Sequence, residues 1–227
     1  MLTRRVLSMA VGCALFTASS AWAQQVLWDS PPNPDLPAFV DQDFGDFPDF
    51  STYLVAHVLF EGPTFIYDIT TYYTNANNLW PQGNIDAVVN IFNQDGSLPG
   101  GGDDPPLAQV TANMAAGPNG FELTASLGGV LHLDAGEYWI GLTPILDFGQ
   151  FGQEFHQGSD VLYKNSAGRN PGGGFGVGTD WFEAGPVFGG VDWGMAITIT
   201  GKIVPTPGAL ALLGVAGLLG TRRRRRQ

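Results

Sequence analysis

Residues 64–74 read TFIYDITTYYT, a run of β-branched and aromatic side chains that follows a turn-forming Gly-Pro pair. Such side chains fit the pleated surface of a sheet better than the crowded surface of a helix. Successive side chains of a strand point to opposite faces, so Phe65, Tyr67 and Ile69 are predicted to share one face and Ile66 to lie on the other. The segment is therefore predicted to be a β-strand.

Similar runs occur on both sides of this segment. Further strands are predicted at 53–60, 85–93, 107–114, 121–127, 130–133, 137–144 and 193–204. The glycine-rich and aromatic-rich stretch 147–190 is predicted to be irregular, with one short strand beginning at Val187. Many short strands at roughly ten-residue spacing, with turn residues between them, predict an all-β fold, an antiparallel β-sandwich.

Two segments of this region resemble jelly-roll-like sandwich domains of exported proteins that have C-terminal anchors. They are residues 133–140, LDAGEYWI, and 196–201, AITITG. Those domains have no common activity, so the resemblance implies an architecture and not a function.

The first 23 residues have the three parts of a secretory signal peptide: a positive start, an apolar middle and a small-residue cleavage site. The basic residues are Arg4 and Arg5, and the cleavage-site alanines are Ala21 and Ala23. The sequence therefore predicts a signal helix at 1–23, recognition by the export machinery and signal peptidase, and a mature chain that begins at Gln24. General secretory export is the default expectation, and the twin-arginine route remains an alternative.

The last segment, 204–227, reads VPTPGALALLGVAGLLGTRRRRRQ. At ~1.5 Å per helical residue, residues 203–221 would span ~28 Å, close to a hydrocarbon core of ~30 Å. A transmembrane helix is therefore predicted at about 207–221. The arginines that would hold its end on the cytoplasmic side are Arg222, Arg223, Arg224, Arg225 and Arg226.

A proline turn, an apolar helix and an arginine cluster at the extreme C-terminus resemble the PEP-CTERM sorting signal of Gram-negative bacteria. The matching turn is Pro205, Thr206, Pro207 and Gly208, with threonine where the family has glutamate. In that family an exosortase, a membrane transpeptidase-like protease, reads the signal. The resemblance implies a protein held at the cell envelope, released or transferred to the surface, and linked to extracellular matrix and biofilm. Simple membrane retention without cleavage is the alternative.

Charge is unevenly distributed along the chain, which has 21 acidic and 10 basic residues. Seven of the basic residues lie in the two terminal signals, so residues 24–203 have three basic and 21 acidic residues, a net charge of −18. Such a surface repels nucleic acid, which is excluded as a partner. The single cysteine, Cys13, lies in the signal peptide, so no disulfide is expected in the mature chain.

The chain is thus predicted to have four segments. They are the signal peptide at 1–23, a proline-rich lead-in at 24–50, a β-sandwich ectodomain at 51–203 and the sorting and anchor segment at 204–227. The lead-in is expected to run along the surface or to add one edge strand.

Weak candidates for a metal site occur in the lead-in, where Asp41, Asp43, Asp46 and Asp49 alternate like half of a Ca²⁺ loop. The competing interpretation is a solvated acidic loop attached to the sandwich by its phenylalanines. These are Phe39, Phe44, Phe47 and Phe50. A second weak calcium candidate consists of Asp95, Asp103 and Asp104. No other cofactor is predicted.

No catalytic motif is recognisable. His57, His132 and His156 lie far apart in the sequence and have no metal-ligand spacing, so they are predicted to be satisfied or exposed histidines. There is no nucleophile elbow, and no cysteine nucleophile remains after signal cleavage. The chain is therefore predicted not to be an enzyme. A glycan-active hydrolase with paired carboxylates is the third-ranked alternative.

Trp80, Trp181 and Trp193 are candidates for stacking on sugar rings, because they lie in or beside predicted loops. The alternative is that these rings fill the ends of the core. The leading hypothesis is an exported, non-enzymatic protein with a structural or interaction role at the cell surface or in extracellular matrix. A surface carbohydrate-binding module is the second hypothesis.

Overall fold

The computed structural model describes residues 24–204, apart from 76, 78, 94–97, 100–107, 119 and 162. The predicted signal peptide and transmembrane helix lie outside the described residues. So do the proline turn at 205–208, the arginines at 222–226 and the second calcium candidate, Asp95, Asp103 and Asp104. Within the described part, no helix is both long enough and apolar enough to cross a membrane.

Strands make up most of the described chain. They are β1 Gln25–Ser30, β2 Phe39–Val40, β3 Tyr53–Phe60, β4 Thr64–Asn75, β5 Gly83–Asn93, β6 Ala108–Gly117, β7 Gly120–Leu133, β8 Gly136–Pro144, β9 Glu154–His156, β10 Gly158–Ser159, β11 Ala167–Arg169, β12 Phe182–Glu183, β13 Gly194–Met195 and β14 Ile197–Ile203. The helical pieces are a 3₁₀ turn, Pro48–Phe50, and two single-turn α-helices, α1 Phe148–Phe151 and α2 Ala184–Val187. The prediction of an all-β fold is confirmed.

The strands predicted between 53 and 144 and at 193–204 agree closely with the structure, but three other predictions are wrong. The stretch 147–190, predicted to be irregular, contains the short strands β9, β10, β11 and β12 and both α-helices. The prediction that a strand begins at Val187 is wrong, because this residue ends α2. The prediction of separate strands at 121–127 and 130–133 is also wrong, because β7 runs through both. Gly128 and Gly129 have φ of 60° and 72°, which lets the strand distort between its two halves without ending.

Twelve of the described strands form one large sheet whose strand pairs are antiparallel. Its main order is β1-β14-β4-β7-β6-β5-β8-β3-β11-β12, and β9 joins β2 to β4. β1 is the edge strand beside β14, so the lead-in contributes an edge strand, one of the two outcomes expected for it.

The sheet curves so that β4 lies opposite β8, although three other strands separate them in the sheet order. The hydroxyl of Tyr73 on β4 lies 2.6 Å from the carbonyl oxygen of Leu142 on β8, and the hydroxyl of Thr71 lies 3.3 Å from the same oxygen. Between the facing strands lies a continuous core. Its largest fully buried members include Trp193, Tyr73, Leu54, Ile66, Ile69, Met114, Leu123, Ile140, Leu142 and Ile197. Each such side chain stabilises the fold by ~1.5–3 kcal/mol.

A bulge in β4 changes which side chains of residues 64–74 face this core. Ile66 and Ile69 are both buried, which a regular two-residue period does not allow. The register shifts at Tyr67 on both sides of the strand, so the prediction that Phe65, Tyr67 and Ile69 share a face is wrong. The extra residue moves the buried positions from even to odd numbers.

A smaller hydrophobic cluster lies on the outer face of β3 and β8. It consists of Val55, Trp139, Ala167 and Trp181, all buried, with partly buried neighbours. The irregular stretch after β8 supplies Ala167 and Trp181, so this stretch covers the outer face of the sheet. As a result, β3 is buried along most of its length on both faces.

The glycine pair in β7 provides a test of the bulge. An alanine at Gly128 would meet no atom within 4 Å, whereas a Cβ at Gly129 would lie 2.0 Å from the ring of Tyr67. Gly128→Ala should therefore lose only the ~1 kcal/mol of a left-handed alanine. Gly129→Ala should lose roughly 2–3 kcal/mol, because it adds a clash. Urea unfolding measures both free energies, and equal losses would contradict the proposed ring contact.

Candidate functional site

A buried carboxylate, Asp41, joins the lead-in to the sheet. Its side chain has no exposed surface. Oδ1 accepts hydrogen bonds from the backbone N–H of Leu54 at 3.2 Å and from the hydroxyl of Thr143 at 2.7 Å. Oδ2 lies 2.8 Å from the hydroxyl of Tyr73 and 2.9 Å from Nδ1 of His156. One side chain of the lead-in therefore contacts β3, β4, β8 and β9.

His156 lies between two oxygen atoms. Its Nε2 is 2.8 Å from the carbonyl oxygen of Ala196, and its Nδ1 is 2.9 Å from Asp41 Oδ2. Burial, with the neighbouring Asp41 carboxylate, raises the pKa of Tyr73 well above its ordinary value, so the phenol stays protonated. The cluster is enclosed, and it acts as a structural joint.

Replacing Asp41 tests this joint. Asp41→Asn removes a buried acceptor of four hydrogen bonds and places an amide N–H₂ group among donors, so a loss of about 3–5 kcal/mol of unfolding free energy is expected. Asp49→Asn is the matched control, because Asp49 is an exposed member of the same acidic series and should change stability by less than ~0.5 kcal/mol. Urea unfolding of both variants gives the comparison; similar small losses would show that the joint contributes little.

The other three acids of the proposed calcium quartet face different partners. Asp43 accepts a hydrogen bond from the hydroxyl of Ser51 at 3.0 Å. Both oxygens of Asp46 accept backbone N–H groups from the start of α1, each at 2.8 Å, and Asp49 is exposed. In the described part of the chain, no group of three histidine, cysteine, aspartate or glutamate residues could hold a metal ion. The structure therefore does not bring the quartet together.

A second buried acid, Glu154, is only partly satisfied. Oε1 accepts a hydrogen bond from Asn75 Nδ2 at 2.8 Å, and Oε2 has no hydrogen-bond partner among the described residues. Burial raises the pKa of Glu154 from 4.5 to about 7, against the opposing effect of the Asn75 bond. Sequence reasoning did not single out this residue.

The raised pKa predicts a pH dependence. Between pH 4.5 and 7 the folded chain holds a proton on Glu154 that the unfolded chain has lost, so stability falls as pH rises through this range. The fall amounts to roughly 3 kcal/mol at 1.36 kcal/mol per pKa unit. Glu154→Gln should flatten this part of the stability profile, whereas Glu61→Gln removes an exposed negative charge and serves as the control. Urea unfolding from pH 5 to 8 measures the profiles; parallel curves for Glu154→Gln and the unmodified chain would contradict the assignment.

The remaining histidines, His57 and His132, lie beside other side chains in separate places. Nε2 of His57 lies 3.0 Å from Oε2 of Glu137, and Lys164 Nζ lies 3.3 Å from the same oxygen. Burial, with the nearby Lys164 charge, lowers the pKa of His57, although Glu137 opposes this shift. His132 packs on Phe65, with ring centroids 4.9 Å apart.

The three tryptophans proposed for sugar stacking belong to the interior to different degrees. Trp193 is fully buried and donates a hydrogen bond from Nε1 to the carbonyl oxygen of Pro37 at 2.8 Å. Trp181 is 8% exposed and lies in the smaller cluster, and Trp80 is half-buried against Phe121. Trp181 and Trp193 therefore fill cores, as the alternative interpretation expected, and neither has a free ring face.

Exposed aromatic rings instead form a groove beside the lead-in, which we call the phenylalanine groove. A hollow of ≈ 290 Å³ is lined by Phe44, Phe47, Phe50, Phe148, Gln153 and Phe175. Phe44 is buried at its base, whereas the other four rings are 39–49% exposed. Phe47 and Phe50 are half-exposed, and they contact Phe148 and Phe175 through their ring edges and faces.

The rings are arranged edge to face. Phe47 and Phe148 have centroids 5.9 Å apart at an interplanar angle of 89°, and Phe50 and Phe175 lie 5.3 Å apart at 81°. Such contacts add ~0.5–1.5 kcal/mol to each pair and leave ring faces open to solvent.

A buried side chain, Asn170, holds the two sides of the groove together. Its Nδ2 donates to the carbonyl oxygens of Asp49 and Ser51, both at 2.9 Å, and its Oδ1 accepts from the N–H of Phe175 at 2.9 Å. The neighbouring glycines allow a close approach, since a Cβ at Gly174 would lie 2.7 Å from Asp49 O. The glycine-rich stretch at 172–174 is thus packed against the lead-in.

A signal for this groove is visible in the sequence but was not used. The dipeptide Asp-Phe occurs four times, at 43–44, 46–47, 49–50 and 147–148. The phenylalanine of every copy lines the groove. A recurring acid-and-ring pair in segments a hundred residues apart is a pattern that sequence reasoning can search for.

No protein-family model matches this chain, and no curated protein matches it. The candidate site therefore has to be interpreted from its own geometry. The resemblance of the C-terminal segment to a sorting signal stays a prediction.

Proposed function

We propose that the chain is an exported, non-enzymatic β-domain that is held at the cell envelope and has an interaction or structural role at the cell surface or in extracellular matrix. A jelly-roll-like β-sandwich architecture is part of this proposal. The observation that carries it is the phenylalanine groove, which exposes four large rings in one place.

The exposure of these rings supports a binding role on energetic grounds. Burying one phenylalanine side chain fully contributes ~1.5–3 kcal/mol, so a partner that covers these four partly exposed rings would gain a substantial free energy of binding. Contiguous apolar patches of this kind on a folded domain usually mark a contact surface. Asn170 and α1 hold the segments that bear these rings in position, which supports a preformed site.

The sequence patterns at the two ends support the location. The signal-peptide pattern with Ala21, Ala23 and Gln24 supports export through signal peptidase. The proline turn, apolar run and arginine cluster support a membrane-held form and processing by an exosortase-like protease.

The groove supports a protein partner more strongly than a glycan. Sugar sites combine ring stacking with several hydrogen-bonding groups, whereas Gln153 is the one polar side chain that lines the main hollow among the described residues. Carbohydrate binding therefore remains the second hypothesis, and glycan-active hydrolysis the third.

Cell fractionation tests the proposed location. In a Gram-negative host that encodes an exosortase, the full-length chain should be in the envelope or surface fraction, and protease added to intact cells should digest it. Intact-mass analysis should give Gln24 as the first residue. Recovery of the chain in the cytoplasm with residues 1–23 attached would refute the proposal.

The same experiment includes a control variant for signal cleavage and shows whether the C-terminal tail is cleaved. Ala21→Lys together with Ala23→Lys should keep residues 1–23 attached, because signal peptidase needs small side chains at these positions. A mature chain that ends near Pro205 would support exosortase-like cleavage. A chain that still ends at Gln227 would contradict cleavage and leave a simple anchor.

A further inference from the structure

We propose that the phenylalanine groove binds an extended peptide segment of another protein in which apolar side chains are flanked by arginine or lysine. This inference rests on the proposed interaction role and names the chemistry of the partner. Its basis is the repeated Asp-Phe dipeptide, in which an aspartate directly precedes each of the four rings that it contributes to the groove.

The shape of the groove fits an extended apolar segment. Phe175 lines both the main hollow of ≈ 290 Å³ and a second hollow of ≈ 240 Å³. The second hollow is also lined by apolar side chains, Phe39, Val40, Phe155, Val177 and Phe188. Two adjoining hollows separated by a shared ring suit two successive apolar anchors of one peptide better than a single compact ligand.

The charges around the groove select the flanks of that peptide. Asp46, Asp49 and Asp147 are exposed, and each directly precedes a groove phenylalanine in the sequence. Residues 24–203 contain three basic side chains, and the one nearest to this region in sequence, Arg169, donates from Nε to the carbonyl oxygen of Thr179 at 3.1 Å. Basic groups that match these carboxylates are therefore best supplied by a partner. Open ring faces also attract arginine through cation–π contacts.

The same charges argue against the two other occupants of an apolar groove. An anionic membrane surface is repelled by the rim carboxylates and by the net charge of −18 on residues 24–203. A second copy of the described domain would place one acidic rim against another. A cationic, apolar peptide meets neither obstacle.

Binding of three matched synthetic peptides tests the proposal. The full-length chain is reconstituted in nanodiscs of zwitterionic lipid, and the fluorescent peptides are RRSLFSLFSRR, EESLFSLFSEE and RRSSGSSGSRR. Fluorescence anisotropy, with empty nanodiscs as the blank, should show saturable binding of the first peptide. The glutamate-flanked peptide should bind at least tenfold more weakly, and the peptide without apolar residues should not saturate. Raising NaCl from about 50 to 500 mM should weaken binding of the first peptide, because the Debye length falls below about 5 Å.

Variants of the chain locate the binding. Phe148→Ala and Phe175→Ala should each weaken binding of RRSLFSLFSRR by about tenfold, whereas Val130→Ala, which changes an exposed valine on β7, should leave it unchanged. Asp49→Asn should weaken binding of the arginine-flanked peptide and not that of the glutamate-flanked peptide. Unfolding midpoints of all four variants show whether any loss of binding reflects loss of the fold.

Three outcomes of the peptide experiments would overturn the proposal, and two further outcomes would assign the groove to a different occupant. The three are equal affinity for the arginine-flanked and glutamate-flanked peptides, unchanged binding by well-folded Phe148→Ala and Phe175→Ala chains, and no saturable binding of the first peptide. If the chain associates more tightly with anionic than with zwitterionic lipid, and Phe148→Ala abolishes this difference, the groove binds a membrane. If the chain forms concentration-dependent dimers that Phe148→Ala abolishes, the groove binds a second copy. Either result refutes a peptide partner. The proposed envelope location is tested separately by fractionation, so failure here leaves that proposal intact.

Discussion

The buried carboxylate of Asp41 is the interaction on which the rest of the domain depends. A buried charge lowers stability by several kcal/mol unless it is paired and hydrogen-bonded, and here donors from three strands and the ring of His156 satisfy it. These partners come from β3, β4, β8 and β9, so the lead-in cannot detach without exposing an unbalanced charge in the core. Residues 24–50 are therefore an integral part of the domain, and β1 adds a second attachment at the sheet edge.

This attachment also explains why phenylalanines are exposed. Along 43–50 the carboxylates of Asp43 and Asp46 accept hydrogen bonds from the protein, while the rings of Phe47 and Phe50 point outward. The segment therefore leaves apolar rings partly exposed, although apolar groups are usually buried. Asp43 accepts its hydrogen bond from a hydroxyl group, and Asp46 accepts from backbone N–H groups while it stays exposed. The exposed rings are thus a consequence of how the segment is held, and they lie in a fixed position beside Phe148 and Phe175.

Local pattern was sufficient to predict most of the sheet and insufficient for the site. The strand at 53–60 was predicted with its observed bounds, because its β-branched run ends at clear turn residues. The bulge at Tyr67 could not be predicted from the sequence of β4 alone. It lies opposite Gly128 and Gly129, which belong to a strand sixty residues later. The groove requires Asn170 to join segments more than a hundred residues apart, and no local period reports such a contact. The aspartates drew a metal hypothesis because spacing alone does not reveal that Asp41, Asp43 and Asp46 each accept hydrogen bonds from different protein groups.

Apolar area and charge have separate consequences at the groove. Burial of the rings would supply most of the affinity for any apolar partner, because the hydrophobic effect is non-directional and does not distinguish one partner from another. Carboxylates beside the rings add the discrimination, since a partner with acidic flanks, an anionic surface or a second acidic domain would meet unfavourable charge. The net charge of −18 on residues 24–203 acts in the same direction, which is the reason that a cationic partner is proposed for this apolar surface.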